Sequence, residues 1–232
     1  MSSEDTSVLS RKVDLNIFSN CTKLNSSDDT VIKSMFKSWT SIFNISTINN
    51  VNIFIDPQPN ESMYGQYSRS VKEYFLKEDI QCTVHKTNGL ADGYIKSVNI
   101  CETDYIFQIE HDWIFLDTIR HTLSEILECM IMENIEHLRF NKRKNVNAVN
   151  ERLCEVEING IKLCRTTKRS NNPHIIDRGS YMNKWNDYID LSNTPKRADG
   201  IENKLVGQTG FIYGGILYPQ QIKHTDATNE RV

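Results

Sequence analysis

The sequence predicts an α/β protein whose central sheet is mixed but mainly parallel, flanked by helices, with a small antiparallel part towards the C-terminus. Strand-like and helix-like patterns alternate from residue 13 to residue 140, which is the order of parallel βαβ units. Later in the chain, Asn159-Gly160 separates two short apolar segments, and this dipeptide is the strongest short signal for an antiparallel hairpin.

The first βαβ unit is the clearest part of the pattern. Val13 to Ser19 alternates apolar and polar residues like a strand, and Val51 to Ile55 is a second strand, which Asp56-Pro57 ends. Between them, Ser27-Asp28-Asp29 is predicted to cap a helix, because such side chains bind the free N–H groups of a first turn. The apolar residues of this helix recur at helical spacing, at Ile32, Met35, Phe36, Trp39, Ile42 and Phe43.

The remaining elements are predicted from the same periodicities. Helices are expected at Tyr67 to Leu76, at Leu90 to Ile100 and after a cap at Asp117, and strands at Ile80 to Val84, Ile135 to Phe140, Leu153 to Ile158, Ile161 to Arg165, His174 to Arg178 and Phe211 to Leu217. We interpret residues 13–226 as a single domain with halves at 13–140 and 141–226, and residues 1–12 as a flexible tail.

Composition excludes several classes of protein. Hydrophobic residues make up 38% and charged residues 25% of the 232 residues, as in ordinary globular proteins. A net charge of -3 gives no basic field for nucleic acid, and the run Lys142-Arg143-Lys144 is too short to predict one. No stretch is apolar enough to span a bilayer, and Met1 to Ser10 does not resemble a secretory signal. The six widely spaced cysteines fit reduced thiols, so we expect a cytoplasmic protein.

One stretch, Tyr105 to Phe115, organises the chain. Its apolar run reads as a strand buried on both faces, and it leads directly into Glu110 and Asp112. Since charges are rarely buried without a partner, both carboxylates are expected at the carboxyl end of the strand, where open α/β sheets bind ligands. Two carboxylates in one crevice favour Mg²⁺ or Mn²⁺ shared with a substrate phosphate. A solvated acidic turn explains the spacing equally well.

Other phosphate-binding and catalytic motifs are missing from the sequence. It contains no glycine-rich phosphate loop, no nucleophile elbow and no H-E-x-x-H pair. A bound nucleotide would therefore depend on loops at strand ends and on a metal ion.

Three segments together resemble small glycosyltransferases of the GT-A fold, most closely the family-2-like and capsular-polysaccharide-type enzymes of bacteria, phages and large DNA viruses. Phe107 to Trp113 resembles the D-x-D motif, Asn172 to Arg178 the acceptor-side segment, and Tyr213 to His224 the closing strand with its metal-binding histidine. The resemblance covers residues 13–226, and it departs from the family at Glu110, where an aspartate is usual. For a viral member, the location would be the host cytoplasm.

The resemblance implies roles for individual residues. Asp112 would bind the metal directly, Glu110 would reach it through water or bind the donor ribose, and His224 would close the metal site from the tail. Residues 13–140 would bind the nucleotide sugar and residues 141–226 would face the acceptor. The loops after the first strands would hold the base and ribose, so the further candidates for donor binding are Asn20, Thr22, Asp56 and Gly89.

The segment Ala198 to Asn203 resembles the acidic stretch that supplies the general base of inverting enzymes. Such a base takes the proton of the acceptor hydroxyl as the new bond forms. Glu202 is the first candidate, Asp199 the second and Asp177 the third. The implied activity is metal-dependent transfer from a nucleoside-diphosphate sugar, expected to be a UDP-sugar, to a glycan hydroxyl with inversion. A nucleotidyltransferase and a non-catalytic carbohydrate-binding protein remain alternatives, and the oligomeric state is open.

Overall fold

The computed structural model describes residues 12–21, 30–149, 151–188 and 206–225. The strands within these ranges are β1 (Val13–Cys21), β2 (Ile48–Pro59), β3 (Cys82–Lys86), β4 (Tyr105–Glu110), β5 (Trp113–Phe115), β6 (His137–Arg139), β7 (Cys154–Ile158), β8 (Ile161–Lys168), β9 (His174–Asp177), β10 (Val206–Tyr213) and β11 (Ile222–His224). The α-helices are α1 (Thr30–Ile42), α2 (Tyr64–Lys77), α3 (Leu90–Ile100), α4 (Leu123–Met132) and α5 (Arg178–Tyr188). None of these helices is long and apolar enough to cross a membrane.

Nine of the described strands form one sheet in the order β3-β2-β1-β4-β9-β6-β10-β8-β7. Strands β3, β2, β1 and β4 are mutually parallel, and β9 runs antiparallel between β4 and β6. The last three strands, β10, β8 and β7, pair in an antiparallel manner. The predicted fold class, a mixed and mainly parallel sheet with an antiparallel part near the C-terminus, is confirmed.

The two faces of the sheet differ in polarity. The face covered by α1, α2 and α4 is apolar, with Leu15, Ile53, Phe107 and Leu138 fully buried in the main core. The face covered by α3 and α5 carries a second, smaller core around Phe18, Ile106, Tyr94 and Tyr181. Polar side chains are also buried in the interior strands, at Asn16, Asn52, Gln108, His137 and His174.

Hydrogen bonds explain how these polar residues are buried. Asn52 Nδ2 donates to Asn16 Oδ1 at 3.2 Å, and Asn16 Nδ2 contacts Cys101 Sγ at 3.2 Å. On β4, Gln108 Nε2 donates to Ser97 Oγ at 3.0 Å. Because these three amides, Asn16, Asn52 and Gln108, have partners, the sheet avoids most of the cost of desolvating them.

The structure confirms the predicted turn at Asn159-Gly160 and contradicts the predicted helix cap at Asp117. Asn159 and Gly160 both have positive φ, at 51° and 78°, as a two-residue hairpin turn requires, so that prediction is confirmed. The predicted cap at Asp117 is wrong. Helix α4 begins after Thr122, whose backbone N–H donates to Glu125 Oε2 at 2.7 Å in a capping box. The prediction failed because Ile119 is buried in the preceding loop, not on the helix.

Several other strand boundaries differ from the predicted ones, and β2 runs through Asp56-Pro57, where its end was predicted, to Pro59. The strand at His174 ends at Asp177, and Arg178 begins α5. The strand predicted to reach Leu217 ends at Tyr213, because Gly214 and Leu217 have left-handed backbones with φ of 82° and 66°. The short strand β11 follows this turn and pairs with β5 in a separate two-stranded sheet.

Candidate functional site

The carboxylates Glu110 and Asp112 separate at a turn after β4. Glu110 is the last residue of the strand, His111 and Asp112 form the turn, and Trp113 begins β5. Residues i and i+2 share a face only while the chain stays extended. The turn therefore lets Glu110 line a pocket while Asp112 contacts the C-terminal strand.

The tail strand β11 brings His224 onto Asp112. It pairs antiparallel with β5, with His224 opposite Trp113, and His224 Nε2 lies 3.0 Å from Asp112 Oδ2. The backbone N–H and the hydroxyl of Thr225 both donate to the Asp112 carbonyl oxygen at 2.8 Å. The predicted association of His224 with Asp112 is thus present, although the residues are far apart in sequence.

The Asp112 carboxylate is ionised and partly unsatisfied. Burial raises its pKa, but the hydrogen bond from His224 and the nearby His111 and His224 rings outweigh burial, so the pKa lies below its usual value. Its second oxygen, Oδ1, is buried and has no hydrogen-bond partner among the described residues. A buried oxygen left in this state costs free energy unless a ligand reaches it. A carboxylate oxygen beside an imidazole fits a divalent cation.

The three predicted metal ligands do not form one cluster. No group of three or more His, Cys, Asp or Glu side chains converges on a metal position in the described part of the chain. The structure pairs Asp112 with His224, whereas Glu110 lines the adjacent pocket. The indirect role predicted for Glu110, through water or the donor ribose, stays a prediction.

The pocket lies at the carboxyl ends of β1, β2 and β4. Four of the predicted donor-binding residues line it: Asn20, Asp56, Gly89 and Glu110. Its volume is about 100 Å³, well below the roughly 300–1,000 Å³ of sites that enclose a whole ligand. A cavity of this volume fits a single ring and not a whole nucleotide.

Parallel pairing explains why these residues meet. Asn20 lies opposite Asp56 in the β1–β2 register, and Phe18 lies opposite Glu110 in the β1–β4 register. Because parallel strands end at the same edge, the side chains after them collect there. Gly89 precedes α3 with φ of 87°, a left-handed backbone that favours glycine.

Aromatic rings that the sequence analysis missed form part of the pocket. Phe18 and Phe54 line it and stack at 5.3 Å between ring centroids, and Tyr94 stacks on Phe18 at 4.4 Å. Nothing in the sequence distinguishes a strand-end phenylalanine that faces a pocket from one in the core. Next to these rings, burial raises the pKa of Asp56. A hydrogen bond from the Gln58 N–H to Asp56 Oδ1 at 3.0 Å lowers this pKa but does not cancel the effect of burial.

His111 fixes the turn to the neighbouring strand. Its backbone N–H donates to the Phe18 carbonyl at 2.8 Å, and its ring Nδ1 lies 3.1 Å from the same oxygen. The ring nitrogen therefore carries the proton and donates. This double contact sets the position of Glu110 and Asp112 relative to the pocket, a role that the spacing of the motif did not reveal.

Asp177 lies away from this site. It is opposite Tyr105 in the β4–β9 register, at the other end of β4 from Glu110. Five residues of strand separate them by roughly 17 Å at about 3.3 Å per residue. Its Oδ1 accepts from the Ser180 N–H at 2.6 Å at the start of α5, which is a capping contact. The structure thus argues against Asp177 as the base. Thr22, Asp199 and Glu202 lie outside the described residues.

Comparison with known proteins bears on the fold. No protein-family model matches the chain, and no curated protein matches its sequence. Residues 1–349 of TarS from S. aureus match at 12% identity with a TM-score of 0.55, covering 92% of this chain and 60% of TarS. The same TarS region in complex with UDP-GlcNAc matches with a TM-score of 0.57, covering 92% and 59%. GalNAc-T7 with UDP, GalNAc and Mn²⁺ matches at 6% identity with a TM-score of 0.56, covering 90% and 45%.

These neighbours are GT-A-type glycosyltransferases. The chain has a GT-A fold. At 12% identity or less the likeness concerns the fold alone, and the chain spans only 45–60% of the length of these structures. The resemblance noted from the sequence is supported at this level.

Proposed function

We propose that the chain is a metal-dependent glycosyltransferase that moves a sugar from a nucleoside-diphosphate sugar to a hydroxyl of a glycan or glycoconjugate. The observation that carries the proposal is the meeting, at one sheet edge, of the pocket around Asn20, Asp56 and Glu110 with the Asp112–His224 pair. Neighbours of the same fold contain UDP-GlcNAc, or UDP with GalNAc and Mn²⁺, which supports a UDP-sugar as the donor.

The donor would bind along this edge from base to sugar. The flat base suits the small pocket beside Phe18 and Phe54, since aromatic walls accept a ring. Asp56 and Asn20 offer oxygens and an amide to the base or the ribose hydroxyls. Glu110, on the same wall, would contact the ribose or a water. The diphosphate would then lie towards the turn formed by His111 and Asp112.

Asp112 and His224 are the residues proposed to hold the metal ion. When bound, a divalent ion supplies Lewis-acid neutralisation of the charge that develops on the leaving diphosphate. The ionised Asp112 carboxylate favours a cation, and pairing of β11 with β5 keeps the imidazole within reach. Diphosphate and water oxygens would supply the other ligands, as is usual for Mg²⁺ and Mn²⁺.

The remaining chemical requirement is a general base for the acceptor hydroxyl. Glu202 is the first candidate and Asp199 the second, and both come from the family resemblance. A carboxylate in hydrogen-bond reach of the hydroxyl would remove its proton as the bond to the anomeric carbon forms. We propose inversion at that carbon, because an in-line attack with one such base inverts it.

The proposal is tested by donor binding with and without metal. Thermal unfolding is followed with UDP, UDP-GlcNAc and UDP-GalNAc, each with and without Mn²⁺, since a ligand of the folded state raises the melting temperature. We expect a rise that requires Mn²⁺, its loss in Asp112→Ala and a nearly complete loss in Asp112→Asn, which keeps the shape but removes the charge.

Asp104→Ala is the matched control, because Asp104 is an exposed carboxylate just before the opposite end of β4. It should respond like the parent chain. Metal-dependent binding that survives in Asp112→Ala would refute the metal assignment. Release of pyrophosphate from a nucleoside triphosphate, without sugar transfer, would indicate a nucleotidyltransferase instead.

A further inference from the structure

Two loops that are joined by hydrogen bonds expose apolar side chains. Val146 and Val149 lie in the loop before β7, and Ile216 and Leu217 lie in the turn after β10. Their exposed fractions are 47%, 101%, 38% and 59%, respectively. Single exposed apolar residues are normal, but a group on adjacent loops indicates an interaction surface.

Hydrogen bonds join the two loops into one unit. Asn145 Nδ2 lies within 3.2 Å of three successive carbonyl oxygens, those of Tyr213, Gly214 and Gly215. The Leu217 N–H donates to the Asn145 carbonyl at 2.7 Å, and the Asn145 N–H donates to Tyr218 O at 2.9 Å. Val146 and Leu217 therefore lie on two loop segments whose backbones are bonded to each other.

Further contacts fix the tip that carries Val149. Ala148 and Glu151 exchange backbone hydrogen bonds at 2.9 and 3.1 Å, and Asn147 Oδ1 accepts from the Leu153 N–H at 2.7 Å. These contacts fix the backbone on both sides of Val149, whose side chain is exposed.

The backbone of Leu217 is strained. Its φ of 66° lies in the left-handed region, which costs a non-glycine residue free energy. Asparagine or glycine would suit this position better if only the turn mattered. A strained and exposed leucine is explained when the side chain itself binds something.

Basic residues flank Val146 and Val149 in the sequence of the first loop. Arg143, Lys144 and Arg152 are all exposed in the same loop, and none forms an ion pair within the described part of the chain. The nearby Glu155 is already engaged, because it accepts from the Ile216 N–H and lies 3.4 Å from Lys162. The first loop therefore carries exposed apolar residues and exposed basic residues close together in sequence.

We propose that this loop patch, made of Val146, Val149, Ile216 and Leu217 with Arg143, Lys144 and Arg152, binds the surface of a membrane that contains anionic lipids. Apolar tips enter the boundary between headgroups and acyl chains, and basic side chains contact the lipid phosphates and carboxylates. The complementary charge selects an anionic membrane over a neutral one. The net charge of the chain is -3, so a uniform field of the whole protein does not provide this attraction.

The experiment measures co-sedimentation with vesicles, without nucleotide or metal, so the outcome is independent of the proposed function. Vesicles of phosphatidylcholine alone are compared with vesicles that also contain phosphatidylserine, at low and high salt. We expect binding to the second kind only, weakened by salt. Arg143→Gln with Lys144→Gln should lower partitioning roughly 25-fold, at about fivefold for each basic residue.

A second double variant tests the apolar tips. Val149→Ser with Leu217→Asn should lower partitioning by roughly tenfold for each side chain. Asparagine tolerates the left-handed backbone, so this variant should keep the fold and its melting temperature. Leu76→Ser is the control, because Leu76 is a 71% exposed leucine on α2, outside the patch; it should bind like the parent.

Three outcomes would overturn the proposal. The first is an absence of binding to either kind of vesicle. The second is equal binding of the parent chain and both double variants. The third is a dimer in solution that the Val149→Ser with Leu217→Asn variant converts to a monomer, since the patch would then be an interface between copies of this chain.

Discussion

The buried histidine His174 makes the stability of the fold sensitive to mild acid. Its ring is buried. The ring Nδ1 lies 2.7 Å from the Asn172 carbonyl oxygen, and the ring Nε2 lies 2.9 Å from Gln108 Oε1. Burial lowers the pKa of His174 to about 4. The charges of Arg169 and Arg139 also lower this pKa, whereas the hydrogen bond with the Asn172 carbonyl raises it. Its neighbour His137, stacked at 4.6 Å, also has a pKa far below its usual value because of burial.

The size of the effect follows from the two pKa values. In the unfolded chain a histidine titrates near 6.5, so between pH 6.5 and pH 4 the unfolded state binds a proton that the folded state does not. The free energy of unfolding therefore falls as the pH is lowered through this window. At pH 5, about 1.5 pH units below the pKa of the unfolded state, His174 lowers the free energy of unfolding by about 2 kcal/mol, since each unit is worth about 1.36 kcal/mol. His137 contributes with the same sign.

Urea unfolding at pH 7.5 and pH 5 checks this number. His174→Gln keeps an amide N–H that can donate to the Asn172 carbonyl or to Gln108 Oε1, but it cannot take up a proton. We expect the parent to lose about 2 kcal/mol more than the variant between the two pH values. Most carboxylates titrate below this range, so they contribute little.

Equal pH dependence in the parent and His174→Gln would refute this reasoning. A direct measurement on the parent covers the case in which the variant does not fold. The imidazole proton resonances of His174 should keep the shifts of a neutral ring down to pH 5. A titration of this ring near pH 6.5 in the folded protein would show that burial does not control it.

Three further predictions concern the candidate site. Truncation after Tyr218 removes β11 and should abolish metal-dependent donor binding. The variant His224→Ala keeps the strand and should weaken metal affinity, measured by calorimetry, roughly tenfold or more. Unchanged affinity in both variants would show that His224 is not part of the site. Asp56→Ala should weaken UDP binding by roughly 5–30-fold, the value of one or two hydrogen bonds, with a normal melting temperature for the ligand-free chain. Glu202→Gln should leave donor affinity near normal and lower the rate of sugar transfer by roughly 10²–10⁴-fold. If the rate does not fall, Asp199→Asn is the next variant to test. The anomeric configuration of the product, read by proton NMR, decides between inversion and retention.

Local periodicity determined much of the fold from the sequence alone. The apolar run before Glu110 is buried as predicted, and the stripe from Ile32 to Phe43 packs into the main core. These predictions succeed because burial must follow the period of the element, about two residues for a strand and 3.6 for a helix. The Asn159-Gly160 turn succeeds for a similar local reason, since two left-handed residues suit few other structures.

Part of the candidate site could also be predicted without the tertiary structure. Asn20, Asp56 and Glu110 lie near the carboxyl ends of their strands and Gly89 precedes a helix, and such positions gather at one edge of a parallel sheet. The sequence could not show that Phe18 and Phe54 line the same pocket. An aromatic residue at a strand end has the same local pattern whether it faces a cavity or the core.

Only the tertiary structure decided which polar groups meet. His224 reaches Asp112 because β11 pairs with β5, and a three-residue strand carries too little pattern to specify a partner more than a hundred residues away. Asp177 looked equivalent to other carboxylates until the antiparallel β9 placed it at the opposite end of the sheet. Strand direction and register depend on long-range packing, and the sequence around each residue does not encode them separately.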